Sequence, residues 1–93
     1  MDYNYPIRQD WSTAEIIEVA AFYEAVEKAY ESGIAREKLM EAYRGFKKVV
    51  PSMAEEKTLC KEFEDASGYV CYQVVQAAKA ASGEEVIKGI TAR

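Results

Sequence analysis

Five carboxylates in the stretch AEEKTLCKEFED, namely Glu55, Glu56, Glu62, Glu64 and Asp65, form the densest group of acid–base side chains in the chain. Converging carboxylates can divide general acid and general base work between them, or hold a di-metal centre inside a helical bundle. Such bundle centres also use a Glu-x-x-His pair, and this chain of 93 residues contains no histidine. The commonest proton shuttle near neutral pH and the commonest metal ligand are therefore both missing. A solvated helix face is the favoured reading of the five acids.

Two cysteines, Cys60 and Cys71, are the available nucleophiles. Each stands among apolar neighbours with no fixed cationic partner evident, conditions that keep a thiol inert, so both are read as small core residues. The Ser67-Gly68 pair could open a helix and offer backbone N–H groups to an anion. A plain cap or hinge is the favoured alternative. No Gly-rich phosphate loop occurs. The expectation is a protein that is not an enzyme, with no catalytic residues, no metal and no cofactor.

Charge is unevenly spread. Residues 34 to 61 carry seven basic side chains against four acidic ones, whereas residues 1 to 33 carry two against seven, within a chain of net charge −4. Arg44, Lys47, Lys48, Lys57 and Lys61 would supply a nucleic-acid face if they lay together, with binding that weakens steeply as salt rises. Glu55 and Glu56 stand in the first helical turn that would meet phosphates, so nucleic acid is kept as the disfavoured alternative. Aromatic residues make up 12% of the chain, and Tyr3, Tyr5 and Trp11 cluster before the first helix signal. Their rings suit either a partner or a groove on the protein's own surface. With Tyr69 and Tyr72 they are the candidate residues for a protein interface or a homodimer.

The elements that must position these groups are helices. In WSTAEI, Ser12 and Glu15 fit a capping box and Trp11 can staple onto Ile16. An amphipathic helix is predicted from Thr13 to about Ser32, ended by Gly33. A second is predicted from Ala35 to Val50 and is stopped by Pro51, with Lys47 and Lys48 complementing the dipole of its last turn. Gly45 inside it points to a close helix crossing. A third starts at Ser52 with Glu55 as its reciprocal partner, places Met53, Leu59, Cys60 and Phe63 inward, and breaks near Ser67-Gly68. A fourth spans Tyr69 to Ala81. Its polar residues Gln73, Gln76 and Lys79 form one narrow stripe, so it is expected to be the central helix.

A capping pattern at Ser82 to Glu85 is followed by few apolar residues, so residues 82–93 are read as a weakly ordered tail. No period-two strand pattern persists. The fold expected is all-α, a compact array or bundle of about four short helices with an extended aromatic N-terminal arm over residues 1–11, all in one domain, 1–93. The run Tyr69 to Ala81 would make a helix roughly 20 Å long, short of a hydrocarbon layer about 30 Å thick. Two isolated cysteines and the lack of a basic start followed by an apolar stretch lead to the expectation of a cytoplasmic protein.

The blocks DYNYPIRQDWSTAEI, FYEAVEKAYESGI, FKKVVPSMAEEK and KEFEDASGYVCYQ, in this order, resemble the YktA-like uncharacterised protein family of Gram-positive bacteria (uncharacterised protein family 0223). The resemblance covers about Asp2 to Lys79. It implies a small, cytoplasmic, all-helical protein, and it supplies no catalytic residues to carry across.

Overall fold

In a computed structural model of the chain, residues 5–81 and Val86–Ile87 are described. Helix α1, Thr13–Glu31, begins on the predicted capping box: the Glu15 N–H donates to Ser12 Oγ and the Ser12 N–H donates to Glu15 Oε1. The two bonds satisfy donors that the first helical turn would otherwise leave open. Gly33 then takes the left-handed conformation, φ 98°, that releases the chain from the helix. Helix α2, Arg36–Val49, follows at once and ends before Pro51, with the buried Val50 as its C-cap.

Helix α3, Met53–Ser67, forms only half of its predicted box: the Glu55 N–H donates to Ser52 Oγ, without the return bond among the described residues. Its end settles the Ser67-Gly68 question. Gly68 is the left-handed C-cap, φ 84°, and its N–H donates to the Glu64 carbonyl, so the helix truly stops. Ser67 and Gly68 therefore close one helix and do not open the next. The Ser67 hydroxyl donates back to the Phe63 carbonyl and accepts from the Tyr69 N–H, which leaves no anion-binding helix start at this pair. Helix α4, Cys71–Ala80, begins two residues later than predicted because Tyr69 and Val70 are drawn onto the end of α1.

The core is built around α1. Val19, Phe22, Tyr23, Ala25, Val26 and Ala29 are all buried along it, whereas α4 buries only Cys71, Val74, Val75 and Ala78. The expectation of a central fourth helix is corrected: α4 is a flanking helix with Tyr72, Gln73, Gln76, Lys79 and Ala80 in solvent. Two ring stacks hold α1 to its neighbours. Phe22 lies on Phe46 of α2 and Tyr23 on Phe63 of α3, each pair with centroids 4.7 Å apart. Tyr5 adds its ring to the second stack, 5.3 Å from Tyr23 and 6.0 Å from Phe63. The Tyr23 hydroxyl, whose pKa burial pushes up strongly, donates to the Pro6 carbonyl and so finds the partner that a buried phenol needs.

Gly45 is buried where α2 crosses α1, and a methyl group added there would meet the carboxylate end of the exposed Glu18 side chain. One element left no trace in the periodicity. Ile34–Ala35 (β1) pairs antiparallel with Val86–Ile87 (β2), with Ile34 opposite Ile87 and Ala35 opposite Val86, and Ile87 is buried against the bundle. The rest of the predicted tail, residues 82–85 and 88–93, lies outside the described residues.

Candidate interaction surface

Helices α3 and α4 are joined by the short link Gly68 to Val70. Along α3, Met53, Lys57 and Cys60 follow at steps of four and three and share a face; along α4, Tyr72, Val75 and Lys79 do so at steps of three and four. These six residues, with Tyr43 and Glu56 behind them and Cys71 at the floor, line a cleft of about 120 Å³. The cleft continues into a shallower hollow bordered by Lys61, Glu64 and Val70.

At its inner wall the Tyr43 hydroxyl donates to Glu56 Oε2 at 3.0 Å, and Lys47 Nζ donates to Glu56 Oε1 at 2.6 Å. Burial, reinforced by the Glu56 carboxylate, pushes the Tyr43 phenol up to about 12. Both thiols line the cleft, and the neighbouring Cys60 together with burial pushes the Cys71 thiol up. At the mouth, Tyr72 is 68% exposed and Met53 58%. The prediction that Met53 points inward is thus corrected: it sits on the first turn of α3, outside the core edge, where its Sδ meets Lys47 Nζ. Lys57 and Lys79 have no ion-pair or hydrogen-bond partner among the described residues.

The other predicted residues are placed elsewhere. Tyr3 lies outside the described residues. Tyr5 is docked on Tyr23 and Phe63, with its hydroxyl donating to Glu27 Oε1 at 2.9 Å, and Trp11 is half-buried against the core. Tyr69 is stacked on Tyr30 and donates to Glu31 Oε2 at 2.6 Å. Tyr72 alone of the four described aromatic candidates is mainly in solvent.

The five acids of α3 do not converge. Glu56 serves Tyr43 and Lys47, Glu62 takes the Arg8 guanidinium through two bonds of 3.2 Å, and Asp65 pairs with Lys61 at 3.1 Å. Among the described residues no three potential ligands gather for a metal ion. The basic candidates are also divided. Arg44 and Lys48 border a hollow with Glu18 and Glu41 that shares no residue with the α3/α4 cleft, while Lys47 and Lys61 are each paired to an acid.

The sequence reading missed Lys79 as a site residue and misplaced Met53. The signal for Lys79 was present: Tyr72, Gln76 and Lys79, at steps of four and three, mark one solvent-facing edge of α4.

The fold and this surface define a small all-α protein of four helices. Among the described residues no helix is long and apolar enough to cross a membrane. The chain matches the family described as Uncharacterised protein family (UPF0223) over residues 2–87, and it belongs to that family. It is 53% identical over 88 residues to a UPF0223 protein of Lysinibacillus sphaericus, covering 95% of this chain and 93% of the relative. It is 52% identical over 79 residues to the UPF0223 protein YktA of Bacillus subtilis, covering 85% and 90%. A UPF0223 protein of Bacillus pumilus is 49% identical over 88 residues, covering 95% and 99%.

Proposed function

We propose that this protein is a non-enzymatic interaction module whose α3/α4 cleft receives an acidic amphipathic segment of another protein. The observation that carries the reading is the combination at the cleft mouth: exposed Tyr72 and Met53 over an apolar hollow, flanked by Lys57 and Lys79, which have no counter-charge among the described residues. An apolar anchor with carboxylates beside it would fill the hollow and supply those counter-charges, the pattern of a helix laid into a groove. A non-enzymatic role is supported by three carboxylates of α3, Glu56, Glu62 and Asp65, which are committed to separate structural partners. Residues 5–11 are, in this reading, an arm that seals the core, since Tyr5 spends its ring and its hydroxyl on the fold. A cytoplasmic setting fits two cysteines left as free thiols.

The test is site-specific photo-crosslinking in the native host, with p-benzoylphenylalanine in place of Tyr72 and, as a control, in place of Ile17, which is 63% exposed on α1. The expected result is a crosslink specific to position 72 whose mapped contact on the partner is an acidic amphipathic segment. A second copy of this chain, a nucleic acid or a basic segment at position 72 would overturn the assignment. So would equal capture at both positions, or no capture at all.

A further inference from the structure

Cys60 and Cys71 come from two different helices and line both the cleft and its shallower continuation, so the fold brings them to one floor. Cys60 is partly exposed, whereas Cys71 is only 2% exposed and has the Cys60 thiol as its foremost polar neighbour. Ten residues separate them in the chain, and they include the left-handed turn at Gly68. Cys71 is the first residue of α4, directly after the cap residue Val70. We propose that Cys60 and Cys71 form a reversible dithiol–disulfide pair, a modification site for oxidants of the hydroperoxide class at the floor of the α3/α4 cleft.

The partial exposure of Cys60 assigns the order of events. The Cys60 thiolate attacks one peroxide oxygen, the O–O bond breaks, and the departing hydroxide takes up a proton to leave as water, giving a sulfenic acid at Cys60. The Cys71 sulfur then attacks the Cys60 sulfur, the S–O bond breaks, and the Cys71 proton leaves with the hydroxide as a second water. Two thiols and one hydrogen peroxide thus become one disulfide and two waters. Most of the cleft floor is apolar, so the disulfide sits there as comfortably as the two thiols. The bridge ties α3 to the start of α4 and narrows the cleft between them.

The test treats the full-length reduced protein with hydrogen peroxide and maps its peptides by mass spectrometry without reductant. The expected product is a monomer that has lost two hydrogens and carries a Cys60–Cys71 link, with a raised Tm, and that returns to its original mass and Tm in dithiothreitol. Cys71→Ser stops at a sulfenic acid on Cys60 that dimedone captures. Oxidation of Cys60 to the sulfinic acid in the unaltered chain while Cys71 remains a thiol, or linkage of two chains through Cys60, would overturn the proposal. The mapping of the unaltered chain decides the matter even where the Cys71 variant folds poorly.

Discussion

Tyr69 lies flat on Tyr30, with ring centroids 4.6 Å apart and planes inclined by 12°. The pair fixes the end of α1 to the link between α3 and α4, and so it sets where the cleft opens. The Tyr30 hydroxyl accepts from the Val70 N–H at 3.1 Å, while the Tyr69 hydroxyl donates to Glu31. Substituting Tyr30→Phe keeps the stack but leaves the Val70 N–H without its partner. A half-buried amide deprived in this way costs about 1–2 kcal/mol. Urea denaturation of the variant should show that loss with an unchanged slope. An unaltered midpoint would mean that the link is held by packing alone.

Gly45 is replaceable by alanine. The methyl would meet the far end of Glu18, an exposed side chain with room to turn toward water, and the helix interior gains about 1 kcal/mol from losing a glycine. A higher Tm is expected for Gly45→Ala, with a gain of up to about 1 kcal/mol. Gly45→Val should reverse the sign, because a branched side chain at the crossing cannot be accommodated by turning one carboxylate aside. A clear loss in the alanine variant would show that α1 and α2 meet more tightly than the Glu18 contact implies.

Strong base should unfold the protein through its phenols. Tyr69 is raised from 10.0 to about 12, first by its bond to Glu31 and then by burial. Tyr43 is raised from 10.0 to about 12, first by burial and then by Glu56. A phenol whose folded pKa exceeds its unfolded value stabilises the fold fully below the unfolded pKa, and that contribution is lost as pH rises through the folded one. Stability should therefore be flat in these groups up to about pH 10 and fall between about pH 10 and pH 12. Tyrosinate absorbance followed together with circular dichroism checks this. Ionisation of every tyrosine near pH 10 with the helices intact would contradict it.

The helix boundaries were legible because their signals are local. Ser12 with Glu15, Gly33 and Gly68 act through bonds or backbone geometry within a few residues, Pro51 through its clash with the residue before it, and each marks a start or a stop. What the sequence did not reveal depends on tertiary placement. Helix α4 read as central because Ala77 and Ala80 count as apolar, yet an alanine loses little by standing in water, and Ala80 does so. Helix α1 is central because rings from two other helices stack on Phe22 and Tyr23, a fact that no period within α1 encodes. Tyr69 read as the first residue of α4, and its long reach to Glu31 and Tyr30 could not be foreseen from neighbours in the chain. The two-residue pairing of Ile34–Ala35 with Val86–Ile87 is too short to leave an alternation.

The site was legible in part for the same reason. Tyr72 was singled out as an amphipathic ring, but its setting arises only when α3 brings Met53, Lys57 and Cys60 opposite it. The basic run of residues 36–61 looked like one face along the chain, whereas the fold spends Lys47 on Glu56 and Lys61 on Asp65, and turns Arg44 and Lys48 to another hollow.

Charge at the cleft mouth is the heart of the account, and one comparison reads it directly. The yield of the photo-crosslink at position 72 is measured in the otherwise unaltered protein and in the same protein carrying Lys57→Glu and Lys79→Glu. Both lysines are exposed and, among the described residues, unpaired, so the double variant should keep its fold, which circular dichroism checks. The account predicts that the crosslink falls at least tenfold in the double variant and returns when acidic residues of the partner segment are changed to lysine. An undiminished crosslink in the double variant would contradict it.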